Sequence, residues 1–235
     1  MIISTWNVLH GIHAANWGEA QAALDEAARV EAIPRRVDEL LAFSVAVCLQ
    51  EVSGDQLRAL RARHVWSMAY PRVPTVRPGS AQIELDDPTE HLVVLSSLLP
   101  GEVVSQRTFP DNPGKGFLSV RLGNGLVVVS THVSYRDTWA EHVQALAAHA
   151  RAQQGRPVAI AGDFNADRAT VMAALGQGFS AAAPPPGRHT RPRAEADGKS
   201  QDIDHVIGHF AAAGECGVED GRGLSDHNPV WTKFV

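Results

Sequence analysis

The sequence predicts an α/β fold in which mixed β-sheets pack together and helices lie on the outside. Short β-type runs alternate with helical patterns, strands outnumber helices, and the middle of the chain reads as hairpins. At 235 residues and 44% hydrophobic the chain can bury a large core, so one domain spanning residues 1–235 is expected.

The first strand is predicted over residues 2–6, where Ile2-Ile3 leads into Thr5-Trp6-Asn7. A helical pattern covers 17–41, with a break expected near Pro34, whose ring removes one backbone donor and crowds the preceding turn. The apolar run 45–49 reads as a buried strand that ends in Gln50-Glu51, and residues 54–63 as a helix. Strands are predicted over 92–96, 102–108, 117–121 and 126–131, the last running into His132, and a helix follows over 137–154. The pattern closes with strand 158–161, helix 168–175, and strands 203–207 and 230–234. Two stretches read as long loops: 70–90, with four prolines, and 180–201, with Pro184-Pro185-Pro186 and the cations Arg188, Arg191, Arg193 and Lys199. Long loops within a compact domain are usually functional or disordered.

Composition narrows the function classes. The opening Met-Ile-Ile-Ser-Thr-Trp has no basic segment or long apolar stretch of a signal peptide, and no run approaches the ~20 apolar residues of a membrane helix. A cytoplasmic location is the expectation. Two cysteines, Cys48 and Cys216, without paired spacing imply neither a zinc site nor a disulfide scaffold, and both are read as free thiols. A net charge of −5 gives no general attraction to nucleic acid, although catalytic acids inflate that figure and a local basic rim is compatible with it.

The most informative stretch is Gly162-Asp163-Phe164-Asn165, which follows the apolar Val158-Ala159-Ile160. Alternation along an extended backbone would point Asp163 and Asn165 to one side and Phe164 into the core. A second clump, Ser225-Asp226-His227-Asn228-Pro229, stands just ahead of the last strand, and Glu51 supplies a further carboxylate. Asp, Asn and Gly also form ordinary turns and helix caps, which would explain any one of these clusters. Recurrence argues otherwise, because Asn7, Glu51, His132, Asp163, Asp204 and Asp226 each follow or adjoin a predicted strand. Together they suggest an acidic pocket for a divalent cation.

In order and content these clusters resemble the endonuclease/exonuclease/phosphatase superfamily, the fold of DNase I, AP endonucleases, neutral sphingomyelinases and inositol-polyphosphate 5-phosphatases. The resemblance extends from Ser4 to Pro229, and its most specific pieces are Gly-Asp-Phe-Asn and Ser-Asp-His-Asn-Pro. It implies a DNase I-like four-layer α/β/β/α sandwich and a metal-dependent phosphoesterase, expected to be a phosphodiesterase using Mg²⁺ or Mn²⁺. Such chemistry needs a nucleophilic water, neutralised phosphoryl oxygens and help for the leaving alkoxide, the last two of which a hard cation provides.

Glu51 is the first candidate metal ligand, and the resemblance adds Asn7 and Asp226 to the same site. Asp163 would orient or deprotonate the attacking water, with base and second-metal-ligand roles both open. Asn165 would donate to a phosphoryl oxygen. His227 would act either as an imidazolium on the transition state or as a neutral base, with Asp204 orienting its ring. His132 resembles the second phosphate-contacting histidine of the DNase I, sphingomyelinase and phosphatase branches. Tyr135, Arg136, Arg188 and Arg191 are further candidates for substrate contact.

Two departures bear on substrate. Where many relatives carry Gly-Asn before an Ile-Leu-Ser strand, the Asn reaching the phosphate, this chain reads His91-Leu92-Val93-Val94-Leu95-Ser96, which puts one phosphate contact in doubt. Leu9 stands where AP endonucleases have an acid, and with His132 this argues against abasic-site repair. The substrate class stays open among nucleic acid, phospholipid and small phosphorylated metabolite, so a phosphatase or a headgroup phosphodiesterase are alternatives. A non-catalytic binding module is a further one. No obligate protein partner is indicated.

Overall fold

The computed structural model describes residues 1–10, 26–64, 67–72, 86–98, 101–135, 137–192 and 200–235. Within them the apolar runs form two six-stranded mixed sheets. The first contains β1 (Ile2–Asn7), β2 (Ala46–Ser53), β3 (Ser67–Arg72), β4 (Glu90–Ser96), β11 (Ala213–Val218) and β12 (Val230–Phe234), in the order β11-β12-β1-β2-β4-β3. The second contains β5 (Glu102–Phe109), β6 (Asn112–Arg121), β7 (Val127–His132), β8 (Val158–Asp163), β9 (Phe179–Ser180) and β10 (Asp204–His209), in the order β5-β6-β7-β8-β10-β9. Each sheet has one parallel pair at its middle, β1–β2 or β7–β8, and antiparallel neighbours on both sides.

Alternation sorts the side chains into three apolar layers. Ile3, Ala46, Cys48 and Val94 of the first sheet meet Leu118, Val120, Val128 and Ala161 of the second between the sheets. The intervening residues Val47, Leu49, Val93 and Leu95 face outward onto α1 (Glu26–Leu41) and α2 (Gly54–Arg63). On the other side Val127, Val129, Val158 and Ile160 pack against α3 (Trp139–Arg151) and α4 (Arg168–Leu175). The result is the expected four-layer α/β/β/α sandwich. Full burial of each Val, Leu or Ile contributes roughly 1.5–3 kcal/mol relative to exposure.

Local chemistry explains where helices start. Ser53 caps α2 in a capping box with Gln56, and the Asp167 carboxylate caps α4 by accepting from Thr170 N. Among the described residues no helix is long and apolar enough to cross a membrane. Cys48 and Cys216 are both free thiols, as expected.

The structure departs from the sequence reading in several places. Helix α1 runs through Pro34 without a break: the proline is buried, and the apolar face of Ile33, Val37 and Leu40 anchors the helix on the first sheet. The predicted helical residues 17–25 lie outside the described residues. Strand β2 continues to Ser53 through a register shift between Leu49 and Val52, so Glu51 sits within a strand rather than beyond its end. Of the two predicted loops, residues 70–72 belong to β3 and 73–85 lie outside the description, while Arg191 pairs with Gln201 in a β-bridge that ties the second together.

Candidate active site

The two parallel pairs end on the same side of the sandwich, and the polar residues gather there. In register, Asn7 stands opposite Gln50 at the end of β1, and His132 opposite Asp163 at the ends of β7 and β8. Strand β10 starts there as well, with Asp204 opposite Asp163 on its other side. Asp163 is therefore flanked within its own sheet by an imidazole and a second carboxylate. Close approach of β7 and β8 requires Gly162, because a Cβ there would lie 1.9 Å from the Thr131 carbonyl oxygen.

Two polar links hold the halves of the pocket together. Buried Gln50 accepts from Thr5 Oγ1 at 3.2 Å and donates to Ser130 Oγ at 3.3 Å, bridging the two sheets beneath the site. Asn7 Nδ2 donates to Asp163 Oδ2 at 3.1 Å and to Glu51 Oε1 at 3.2 Å, while its Oδ1 accepts from Leu9 N at 3.0 Å. Asn7 thus bridges two acids with its amide donor. Glu51 projects from a left-handed residue (φ 57°) at the bulge, and its Oε2 accepts from His10 N at 3.3 Å. A bulge that re-aims one side chain is a common device beside functional sites.

The Ser225–Asn228 segment is fastened to β1. Ser225 Oγ donates to the Asn7 carbonyl at 2.7 Å and accepts from His227 N at 3.1 Å, and Trp6 Nε1 donates to the His227 carbonyl at 2.9 Å. His227 Nδ1 lies 2.8 Å from Asp204 Oδ2, and its Nε2 lies 3.9 Å from Asp163 Oδ2 and 3.8 Å from Asp226 Oδ1. Asp163, Asp204 and His227 can each offer a ligand atom within 4.8 Å of the others. Asp163 Oδ1 accepts from Asn165 N at 2.9 Å. The extended backbone stops at Asp163, since Asn165 is left-handed (φ 52°) and its Nδ2 donates to the Val133 carbonyl at 2.9 Å. Phe164 is fully buried, as strand alternation predicts.

Electrostatics follow from this crowding. Burial, then the charge of Asp204, raises the Asp163 carboxyl to about 6, against the lowering effects of His227 and Lys115. Burial alone would depress His227, but the charges of Asp204 and Asp226, with the hydrogen bond that the imidazole donates to Asp204, outweigh it and raise the imidazole to about 9. Near neutral pH the site thus carries a carboxylate at Asp163 and an imidazolium at His227.

Sequence reasoning missed two cations. Lys115, on β6, is nearly buried with its Nζ against the His132 ring, 3.0 Å from Nδ1. His132 Nε2 in turn lies 3.5 Å from Asp163 Oδ2 and 3.9 Å from Glu51 Oε1, so an ammonium, an imidazole and two acids form one chain of contacts. Arg29, on α1, is fully buried and donates to the carbonyls of Val8 (2.6 Å), Leu9 (2.7 Å) and Leu224 (2.8 Å), pinning the segments beside Asn7 and Ser225.

The substrate-contact candidates separate. Arg191 reaches the site, with Nε and Nη2 at 2.8 and 2.7 Å from Asp226 Oδ2. Tyr135 is exposed just beyond His132, and Arg188 is exposed on the second loop, its N–H donating to the Pro185 carbonyl. Arg136, Arg193 and Lys199 lie outside the described residues.

Comparison with solved structures finds the same fold. A mannosyl-6-phosphatase of Bacteroides thetaiotaomicron aligns with a TM-score of 0.71 at 14% identity, over 100% of this chain and 99% of that one. TDP2 of Caenorhabditis elegans aligns at 0.68 with 16% identity over 100% and 74%. D. rerio TDP2 complexed with single strand DNA product aligns at 0.67 with 16% identity over 100% and 98%. A search of curated proteins finds no match. The family model described as Endonuclease/Exonuclease/phosphatase family matches residues 4–227, a span that contains every acid, amide and histidine of the pocket, and the chain belongs to that family.

Proposed function

We propose that the chain is a divalent-metal-dependent phosphoesterase, a nuclease-like phosphodiesterase in which water attacks phosphorus in line without a covalent intermediate. The observation that carries this reading is the convergence on Asp163: its Oδ2 faces Asn7, His132 and His227, contributed by three separate segments. The pocket also suits a hard cation. Asp204 Oδ1 and Asp226 Oδ1 are buried without a hydrogen-bond partner among the described residues, and buried lone pairs are costly unless a cation or water meets them. Glu51 and Asp226, with Asn7 beside them, would hold Mg²⁺ or Mn²⁺, both of which prefer such oxygen donors. When bound, the ion supplies charge neutralisation at the phosphoryl oxygens and the leaving alkoxide.

The chain's own groups account for the remaining chemistry. Asp163 orients the water and accepts its proton, and a pKa near 6 makes it a stronger base than an exposed carboxylate while leaving it ionised at neutral pH. His227, held by Asp204 in one orientation and kept protonated, donates to the transition state. Lys115 and His132, in contact beside Asp163, would supply donors for the phosphoryl oxygens, with Asn165, whose Nδ2 also donates to the Val133 carbonyl, as a further one. Arg191, Arg188 and Tyr135 extend the surface for the rest of the substrate.

A nucleic-acid strand is one candidate, since D. rerio TDP2 has been captured with a single strand DNA product in this fold. A phosphomonoester is the second reading. It is favoured by the likeness to a mannosyl-6-phosphatase and by the engagement of Arg191 with Asp226, which leaves Arg188 as the exposed arginine on the described part of its loop.

Purified protein should be assayed against bis-p-nitrophenyl phosphate, p-nitrophenyl phosphate, plasmid DNA and a sphingomyelin-type lipid, with Mg²⁺, Mn²⁺ or EDTA. Turnover that requires metal and vanishes in Asp163→Ala is the expected result, and the best substrate selects the branch. Silence on all four, with no metal binding by calorimetry, would favour a non-catalytic binding module.

A further inference from the structure

Arg191 occupies an unusual place. Both its Nε and Nη2 point at one oxygen of Asp226, Oδ2, while Oδ1 of the same carboxylate is buried and without a hydrogen-bond partner among the described residues. The Asp226 side chain is almost wholly buried (2% exposed), whereas the arginine keeps 23% of its side chain in solvent. One end of this ion pair is therefore enclosed in the pocket, and the other is partly open to water.

The arginine's backbone is anchored independently of that contact. Arg191 pairs through N–H and carbonyl with Gln201. Neighbouring Thr190 is buried, accepts from Ile203 N and Asp204 N through its hydroxyl, and through its carbonyl accepts from Asn228 N at 2.6 Å. Losing the guanidinium contact thus leaves the segment tied to both Asp204 and the His227 turn. The second arginine beside the pocket, Arg29, differs on each count: it is fully buried and donates to three main-chain carbonyls, so it has no freedom to leave.

We propose that Arg191 is a resident counter-ion of the metal site, balancing Asp226 when no divalent cation is bound and yielding that carboxylate when one arrives. The inference rests on the metal-dependent reading above and adds a regulatory consequence. A charge-assisted hydrogen bond from Nε and the ion-pair contact of Nη2 must be given up for the cation to take Asp226, so its apparent affinity is set below what the acids alone would give. The site would then fill only at a correspondingly higher concentration of free divalent cation.

The test is isothermal calorimetry of Mn²⁺ binding to the metal-free full-length protein, without substrate. Arg191→Gln should bind Mn²⁺ roughly tenfold or more tightly than the parent, from the magnitude of the broken charge-assisted hydrogen bond. Saturating Mn²⁺ should also raise its melting temperature by more than it raises the parent's, a difference that a merely structural role would not produce. Arg191→Lys keeps a cation but loses the fork; it should show a smaller tightening, and it serves as the test if the glutamine variant does not fold. In an Asp226→Asn background Arg191→Gln should leave Mn²⁺ affinity unchanged. Equal or weaker binding by the Arg191 variants, with Mn²⁺ still binding the parent, would overturn this proposal and leave the phosphoesterase reading standing. No heat from any of the proteins would overturn both.

Discussion

The two sheets share a topology and differ in chemistry. Each carries one central parallel pair with antiparallel neighbours, and each ends that pair at the pocket. From the first sheet come Asn7 and Glu51, whose polar atoms engage each other and the backbone of Leu9 and His10. From the second come His132 and Asp163, with Asp204 and Lys115 on other strands of that sheet, and there burial and the Asp204 charge raise the Asp163 carboxyl to about 6. On the function proposed above, the first half would hold the cation and the second would move the proton. That division is what variants can break.

The largest effect is expected in the second half. Asp163→Asn should lower kcat by roughly 10³-fold, within the range for loss of a general base, with the variant still folded. A kcat within threefold of the parent would remove Asp163 from the proton-transfer role. His227→Gln should follow, with a loss of about 10²-fold. The raised imidazole pKa gives a sign: the imidazolium persists at neutral pH and is lost as pH rises through about 9. The parent's rate should fall on that alkaline side, and the glutamine variant's should not.

A smaller effect probes how the second sheet brings its residues together. A methyl group at Gly162 would collide with the Thr131 carbonyl, so Gly162→Ala should destabilise the fold by about 1–3 kcal/mol, the usual cost of overpacking, measured by urea unfolding. Unchanged stability would mean that β7 and β8 separate without cost.

The smallest effect comes from buried histidines that the proposed chemistry does not use. Burial depresses the imidazoles of His91, His149 and His205 below their ordinary value. Such a group favours the folded state above the unfolded-chain pKa of about 6.5, and that contribution is lost as pH falls through the depressed value. Urea midpoints should therefore drop below about pH 6.5, and replacing His149 with Gln should reduce the slope; a parallel pH profile would contradict this.

Much of the pocket was legible because its residues lie in contiguous motifs. Gly162-Asp163-Phe164-Asn165 and Ser225-Asp226-His227 each deliver several groups from one turn, and the order of apolar runs fits two packed sheets, whose four-layer arrangement the family resemblance implies. What escaped the sequence depends on contacts between distant segments or on backbone geometry. Lys115 is an isolated cation in Asn112-Pro113-Gly114-Lys115, and it meets His132 only because β6 pairs with β7 in a register that sets Gly116 opposite that histidine. The left-handed turn at Glu51 arises from a bulge that no residue type announces. Strands β3 and β11 were missed because proline in one and glycines in the other weaken the strand signal, although edge strands tolerate both.

The division between the sheets is tested most directly by following hydrolysis of bis-p-nitrophenyl phosphate against Mn²⁺ concentration in the parent, Glu51→Gln and Asp163→Asn. Glu51→Gln should need about tenfold or more Mn²⁺ for half-maximal rate and recover near-parental turnover at saturation, since affinity for a hard cation follows ligand charge. Asp163→Asn should stay slow at every concentration. Full rescue of Asp163→Asn by metal, or failure of Glu51→Gln to recover, would contradict the assignment of cation and proton chemistry to separate sheets.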